Sequence, residues 1–251
     1  MLCPYRWVGI DSQLLNFNMK TINYSKIIDL THIIDSNIPL WPGDPNMEFE
    51  TVAEIDKDGY YLRRFSLGEH SGTHINSPNS FFPDKEGIDE YKSSSLVVAA
   101  NVIDIRKKTS LNPDYALTID DVKEWEEKHN FLAAETVVLL YSGWQEKWSD
   151  RFSFLNQDAE GKLHFPGFAG ETTKFLLEER GIAGVGIDTH GVDGGLDESF
   201  ATNKLILSRS GIVLENLNNL HLLPPTGATL VIGIMRLKSG SGSPVSVLAF
   251  V

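Results

Sequence analysis

Two histidines, His70 and His74, stand four residues apart around a Gly-Thr pair in the run EHSGTHINSP, Glu69 to Pro78. Gly72 and the β-branched Thr73 and Ile75 disfavour helix and favour extended backbone. Side chains alternate faces along a strand, so His70, Gly72, His74, Asn76, Pro78 and Ser80 are expected on one side, with a gap at Gly72 between the imidazoles. Two imidazoles flanking a gap are suited to holding a cation, because imidazole is the commonest metal ligand. Spacing alone leaves open a second reading, two histidines hydrogen-bonded within a half-buried strand.

Two further residues have the setting for chemistry. Trp41 lies in PLWPGDP, where prolines at 39, 42 and 45 stiffen the segment and Gly43-Asp44 reads as a turn, so a rigid loop presents the indole for substrate contact or packs it under the turn. His190, in GIDTHGVD, follows the apolar run 182–187 and is expected on a loop at a strand end, where α/β proteins place chemistry. Asp188 and Asp193 flank it, with Gly191, Gly194 and Gly195 marking turns. A surface-loop histidine braced by those aspartates is the competing reading.

HSGTH followed by x-N-x-P resembles the signature of the metal-dependent cyclase-like hydrolases, the family of bacterial kynurenine formamidase and isatin hydrolase. Blocks in the same order extend the resemblance along the chain: IIDLTH (Ile27 to His32), IPLWPGDP (Ile38 to Pro45), VVLLYSGW (Val137 to Trp144), FPGF (Phe165 to Phe168), GVGIDT (Gly184 to Thr189), GIVLENLNNL (Gly211 to Leu220) and SGSPVSVLA (Ser241 to Ala249). The resemblance implies hydrolysis of a small amide, lactam or lactone, with a metal-activated hydroxide attacking a carbonyl presented against Trp41.

Carried over by position, His70, His74 and Glu215 match metal ligands of the family. Asn76 stands where the family has an aspartate, Ser80 where it has a proton-shuttling histidine, and Asn203, twelve residues before Glu215, where it has a second-metal histidine. A bridging carboxylate neutralises two cations that otherwise repel, whereas asparagine offers only a neutral oxygen. A second metal loses its basis. Two histidines and one glutamate equal the ligand count of a mononuclear catalytic site, here for one Zn²⁺ or alternatively Mn²⁺, with Asn76 as a weak contact. Ser80 does not titrate near neutrality, so His190 is the best substitute acid or base. Losing three such positions also raises two alternatives, a ligand-binding pseudoenzyme and a biosynthetic cyclase or dehydratase using the metal as a Lewis acid.

The elements that must position these residues are those of one α/β domain, a mixed central β-sheet flanked by helices, of the swivelling β/β/α type in the resembling family. Apolar runs of strand length at 96–105, 135–141, 182–187, 229–235 and 245–251 are rich in Val and Ile, as expected where both sheet faces are covered. The segment 118–130 reads as a helix capped by Thr118, and 171–180 as a second one stopped by Gly181. Polar, aperiodic 150–162 reads as a loop, and KSGSGSP, Lys238 to Pro244, as a turn close to the site.

The 251 residues suit one large core, placed at 19–251, with 1–18 an extension or a mis-assigned start before Met19. A net charge of −12, with no basic cluster, argues against nucleic acid and anionic membrane as partners. The single cysteine, Cys3, excludes an internal disulfide and fits a cytoplasmic enzyme. The resemblance implies a small-molecule substrate and a homodimer or higher homo-oligomer.

Overall fold

The computed structural model describes residues 21–251; the expectations for Cys3, for residues 1–18 and for the start at Met19 lie outside the described residues. Twelve strands are described: β1 Ile27–Asp29, β2 Glu48–Ala53, β3 Leu62–Ser66, β4 His74–Asn76, β5 Val97–Asp104, β6 Ala116–Leu117, β7 Val137–Tyr141, β8 Gly167–Phe168, β9 Gly184–Ile187, β10 Ile212–Glu215, β11 Ala228–Ile234 and β12 Gly242–Phe250. Six α-helices accompany them: α1 Ile55–Asp58, α2 Arg106–Thr109, α3 Ile119–His129, α4 Arg151–Leu155, α5 Gly170–Glu179 and α6 Ala201–Leu207.

The main sheet runs β1-β12-β11-β5-β7-β9-β10-β4, and β4 also pairs with β12, which closes seven of the strands into a barrel. Pairings β5–β7, β7–β9 and β9–β10 are parallel, whereas β11 pairs antiparallel with β5 and β12, and β4 with β10 and β12. The sheet is therefore mixed, as the sequence implies.

Apolar side chains on both faces of the central strands explain this arrangement. Val137, Leu139, Ile212, Leu214, Leu230 and Val247 fill the barrel interior. Val138, Leu140, Val185 and Val213 face outward onto α3, α5 and α6 through Val122, Trp125, Leu176 and Ile206. Helix α3 begins where expected: Thr118 Oγ1 accepts the Asp121 N–H, and the Asp121 carboxylate accepts the Thr118 N–H in return.

Two expectations need correction. Residues 150–162 are not all loop, because Asp150 accepts the N–H groups of Phe152 and Ser153 and so starts the short helix α4, whose Phe154 is fully buried. Nor is Glu69 to Ser80 one continuous strand. Gly72 turns with φ +65°, a conformation glycine adopts without Cβ cost, and Pro78–Ser80 forms a 3₁₀ turn, leaving only β4 extended.

The close approach of β9 to β10 depends on Gly184. A Cβ there would lie 2.2 Å from the Ile212 carbonyl oxygen across the β9–β10 ladder. Gly184→Ala should destabilise the fold by at least the overpacking cost of about 1–3 kcal/mol, read as a lower urea midpoint. An unchanged midpoint would mean that β9 and β10 move apart freely.

Candidate active site

Strand β4 places the first site residues. Its antiparallel register sets His74 opposite Glu215 of β10 and opposite Pro244 of β12, and Asn76 opposite Val213 and Gly242. Thr73 Oγ1 donates to the Asn216 carbonyl (2.6 Å) and Asn216 Nδ2 donates to the Gly72 carbonyl (2.9 Å), tying the entry of β4 to the turn after β10. A cavity of about 350 Å³ opens above this seam, and His70, His74, Asn76, Ser80, His190, Glu215 and Trp41 all line it. The tract 238–244 lies beside it, as expected: Gly242 packs so close to His70 that a Cβ would meet the ring at 2.8 Å.

Hydrogen-bond polarity fixes the state of the floor. His74 Nδ1 lies 3.0 Å from the Gly72 carbonyl, which only accepts, so this nitrogen carries the proton. In the neutral ring Nε2 then holds a lone pair, and it lies 3.0 Å from Glu215 Oε2 without a directed hydrogen bond. Two acceptors buried face to face require a positive charge between them, either the ring's second proton or a metal ion. Burial pushes the Glu215 carboxyl up, but the neighbouring His74 and the Val192 N–H outweigh it and hold the group below the ordinary range.

A second chain of bonds occupies the rest of the floor. Asn203 Nδ2 donates to Asp193 Oδ2 (2.9 Å) and to Glu215 Oε1 (3.3 Å), so its oxygen faces Asn76 Nδ2 (3.0 Å) and the Asn76 oxygen faces His70 Nδ1 (2.9 Å). The carboxylates thus dictate the orientation of both amides and put the His70 proton on Nδ1. The other nitrogen, His70 Nε2, lies 2.9 Å from Ser241 Oγ, itself 2.7 Å from Glu69 Oε2. Burial, helped by neighbouring His74, keeps His70 below the ordinary imidazole range.

These geometries sort the expected ligands. His74 and Glu215 converge, whereas His70 and Asn76 are engaged in the amide chain. Among the described residues no three His, Cys, Asp or Glu side chains are gathered to hold a metal ion as they stand. The unpartnered Nε2 of His74 beside a carboxylate fits one cation at that end, and Asn203 occupies the space between Asp193 and Glu215.

The remaining expected residues also reach the cavity. Trp41 sits on its turn, the Asp44 N–H bonding back to the Trp41 carbonyl, with its indole edge-on to Phe165 and His190. Ser80 donates to the Ser77 carbonyl (2.5 Å), so its hydroxyl proton is committed. His190 is not a surface residue: it is buried against Phe154, its Nε2 is unpartnered, and burial pulls its pKa down to about 3.

Asp193 does more than brace the turn, the role the sequence suggests for it. Its carboxylate does accept the N–H groups of Thr202 and Asn203 and caps α6, yet it also lines the cavity, and burial pushes its pKa up to about 6. The available signal was a helix start at Ala201 with no capping side chain before it. Asp188 is fully buried and is spent on Ser142 and the Gln145 N–H.

A single α/β domain built on a mixed, barrel-like sheet is the fold of the cyclase-like hydrolases. Residues 28–194, more than half of the chain, match the family described as "Putative cyclase", and the chain belongs to that family. It is 32% identical over 260 residues to an isatin hydrolase of Roseibium aggregatum, covering 97% of this chain and 96% of the relative. A kynurenine formamidase of Bacillus anthracis is 24% identical over 230 residues, covering 90% and 97%. The solved structure of isatin hydrolase A from Labrenzia aggregata, bound to benzyl benzoate, superposes with a TM-score of 0.85 at 31% identity over 90% of this chain and 93% of that one.

The buried neutral histidines make stability pH-dependent. His190, and His32 stacked on Trp148 with its pKa drawn down to about 4 by burial, stay neutral in the fold while the unfolded chain protonates both below about pH 6.5. The stability is present above that pH and is lost as pH falls toward the depressed values, about 2 kcal/mol per ring by pH 5. His190→Gln, whose side chain does not titrate, should recover about 2 kcal/mol of the fall between pH 7 and pH 5 in urea titrations. An identical slope in the variant would place His190 in water.

Proposed function

We propose that this chain hydrolyses the carbon–nitrogen bond of a small amide or lactam with the help of one divalent metal ion. The observation that carries the reading is the pair of buried acceptors, His74 Nε2 and Glu215 Oε2, 3.0 Å apart at the floor of an aromatic-walled cavity. The isatin hydrolase and kynurenine formamidase relatives support the reaction class. A lactone-opening activity belongs to the same carbonyl chemistry.

His74 and Glu215 would hold the ion together with His70, which gives up its bond to Ser241 to join them, and Asn76 would add a neutral oxygen. Zn²⁺ suits two nitrogens and one carboxylate, with Mn²⁺ as the alternative. When bound, such an ion supplies Lewis-acid polarisation of the carbonyl and lowers the pKa of a water nucleophile.

The chain's own residues do the rest. Trp41 and Phe165 provide an apolar wall for the organic part of the substrate. His190, neutral at physiological pH, lines the cavity beside Trp41 and would orient the substrate. With a pKa of about 3 it is a poor base, so we assign proton transfer to Asp193, whose pKa of about 6 lies nearest the working range. Ser80 positions the 3₁₀ turn beneath the cavity through its bond to Ser77.

The reading includes a cytoplasmic location and a homodimer or higher homo-oligomer. The single cysteine supports the first. The second is supported by the β2–β3 hairpin, whose Val52, Tyr60, Tyr61, Leu62 and Phe65 are exposed. Among the described residues no helix is long and apolar enough to cross a membrane.

Elemental analysis of the purified, dialysed protein should find about one Zn or Mn per chain, lost in His74→Ala together with formamide or lactam hydrolysis. Two ions per chain would contradict the role given to Asn203, and none would favour a ligand-binding protein. Trp41→Ala should raise KM about tenfold with little change in kcat, because an apolar wall binds ground and transition states alike. A loss confined to kcat would place Trp41 in the chemical step instead.

A further inference from the structure

The charge on the cavity wall is of one sign. Asp44, Asp193, Asp197, Glu198 and Glu215 line it, and among the described residues no lysine or arginine does. Asp193 and Glu215 are buried at the floor, whereas Asp44 and Asp197 are half-buried and Glu198 is exposed, which puts these three at the mouth. They come from two loops. Asp44 closes the turn that begins at Trp41, and Asp197 and Glu198 lie on the segment that leads from His190 into α6.

Nothing in the fold compensates the three mouth carboxylates. Among the described residues none of them forms an ion pair with a lysine, arginine or histidine. Asp197 accepts the N–H (2.8 Å) and the hydroxyl of Ser199, neutral donors that leave its charge in place. Lys162 lines the adjoining cleft, which Trp41 and Glu198 also border, and not the cavity itself. Arg151, near enough to His190 to weigh on its charge, does not line the cavity either. One divalent ion at the floor would offset only two of the five negative charges.

Carboxylates on an open convex surface are simply solvated, but these surround the entrance to a concave space. A cleft lined by one sign of charge focuses the field and concentrates ligands of the opposite sign. The floor marks the cavity as a ligand site independently of its mouth, because His74 is 2% exposed and its Nε2 has no directed hydrogen bond.

We infer that Asp44, Asp197 and Glu198 are specificity-determining residues that make this cavity take amides bearing a basic amine and turn away amides bearing a carboxylate. The inference rests on the hydrolase reading of the same cavity and names the charge of its substrate. Opening an amide or lactam releases a carboxylic acid that is ionised at neutral pH. The field that draws in the cationic substrate therefore also drives the acid product out.

The test uses three para-substituted formanilides that differ in one group, aminomethyl, ethyl or carboxymethyl. They are hydrolysed by the metal-loaded full chain and by its triple variant Asp44→Asn, Asp197→Asn, Glu198→Gln. At low salt kcat/KM should fall in the order aminomethyl, ethyl, carboxymethyl, with about tenfold or more between the two charged compounds. Raising NaCl to about 0.5 M should compress that spread several-fold, because the field is screened. The triple variant should show the same compression at low salt, leave the ethyl compound unchanged, and melt within about 2 °C of the parent. Glu198→Lys, at the exposed position, should narrow the preference further than Glu198→Gln. Calorimetry with 4-(aminomethyl)benzamide and 4-(carboxymethyl)benzamide, on the chain with and without metal, should give the same order and the same loss.

Equal kcat/KM for the two charged formanilides at low salt would overturn the inference. So would a preference that the triple variant and Glu198→Lys both keep. If no formanilide is hydrolysed while calorimetry shows the amine preferred and the variants lose that preference, the charge selection stands and the hydrolase reading fails.

Discussion

Everything at the site hangs on the pairing of β4, three residues long, with two strands that are remote from it in sequence. Its ladder to β10 sets His74 against Glu215, and its ladder to β12 brings Ser241 and Gly242 onto His70. The same pairings close the barrel, so the geometry of the floor and the integrity of the sheet cannot be separated. The backbone bonds of β4 are shielded by the fully buried Ile75, and both edges of the strand are paired.

The chemistry of the floor follows from how few positive charges serve its carboxylates. Asp193 and Glu215 share one amide group of Asn203, and a neutral amide is a weaker counterpart to two anions than a cation is. Burial then divides the labour: the carboxyl beside His74 stays ionised, and the one left to amide and backbone donors is pushed toward neutrality. Environments that separate the pKa values of neighbouring groups are what acid–base chemistry needs.

Much of this was legible in the sequence, for identifiable reasons. Helix α3 carries its own cap in Thr118 and Asp121, and β5, β7, β9, β11 and β12 announce themselves by apolar runs, although only β7 and β9 are buried on both faces while β11 and β12 bury mainly alternate residues. His70 and His74 were legible because their spacing is local. Glu215 was reached through family resemblance, since its contact with His74 spans the chain and leaves no periodic trace. The extended run is shorter than its residue types suggest, because Gly72 turns the backbone before the strand begins. The role of Asp193 leaves no local trace, because its partners lie nine and ten residues downstream, at a helix start whose own preceding residue, Phe200, is the wrong type to cap. His190 was placed on the correct loop, but the aromatic shell that buries it, Phe154 and Trp41, comes from two other segments.

The hairpin formed by β2 and β3 lies between two pocket residues in the chain. It leaves the body shortly after Trp41 and returns just before His70, and Gly68 packs against Pro45 at its base, where a Cβ would meet the proline ring at 3.3 Å. The two feet of this arm are therefore pinned together, with one pocket wall on the incoming side and one site histidine on the outgoing side. Two short stretches of chain thus join the exposed hairpin to the pocket, one ending at Trp41 and the other at His70.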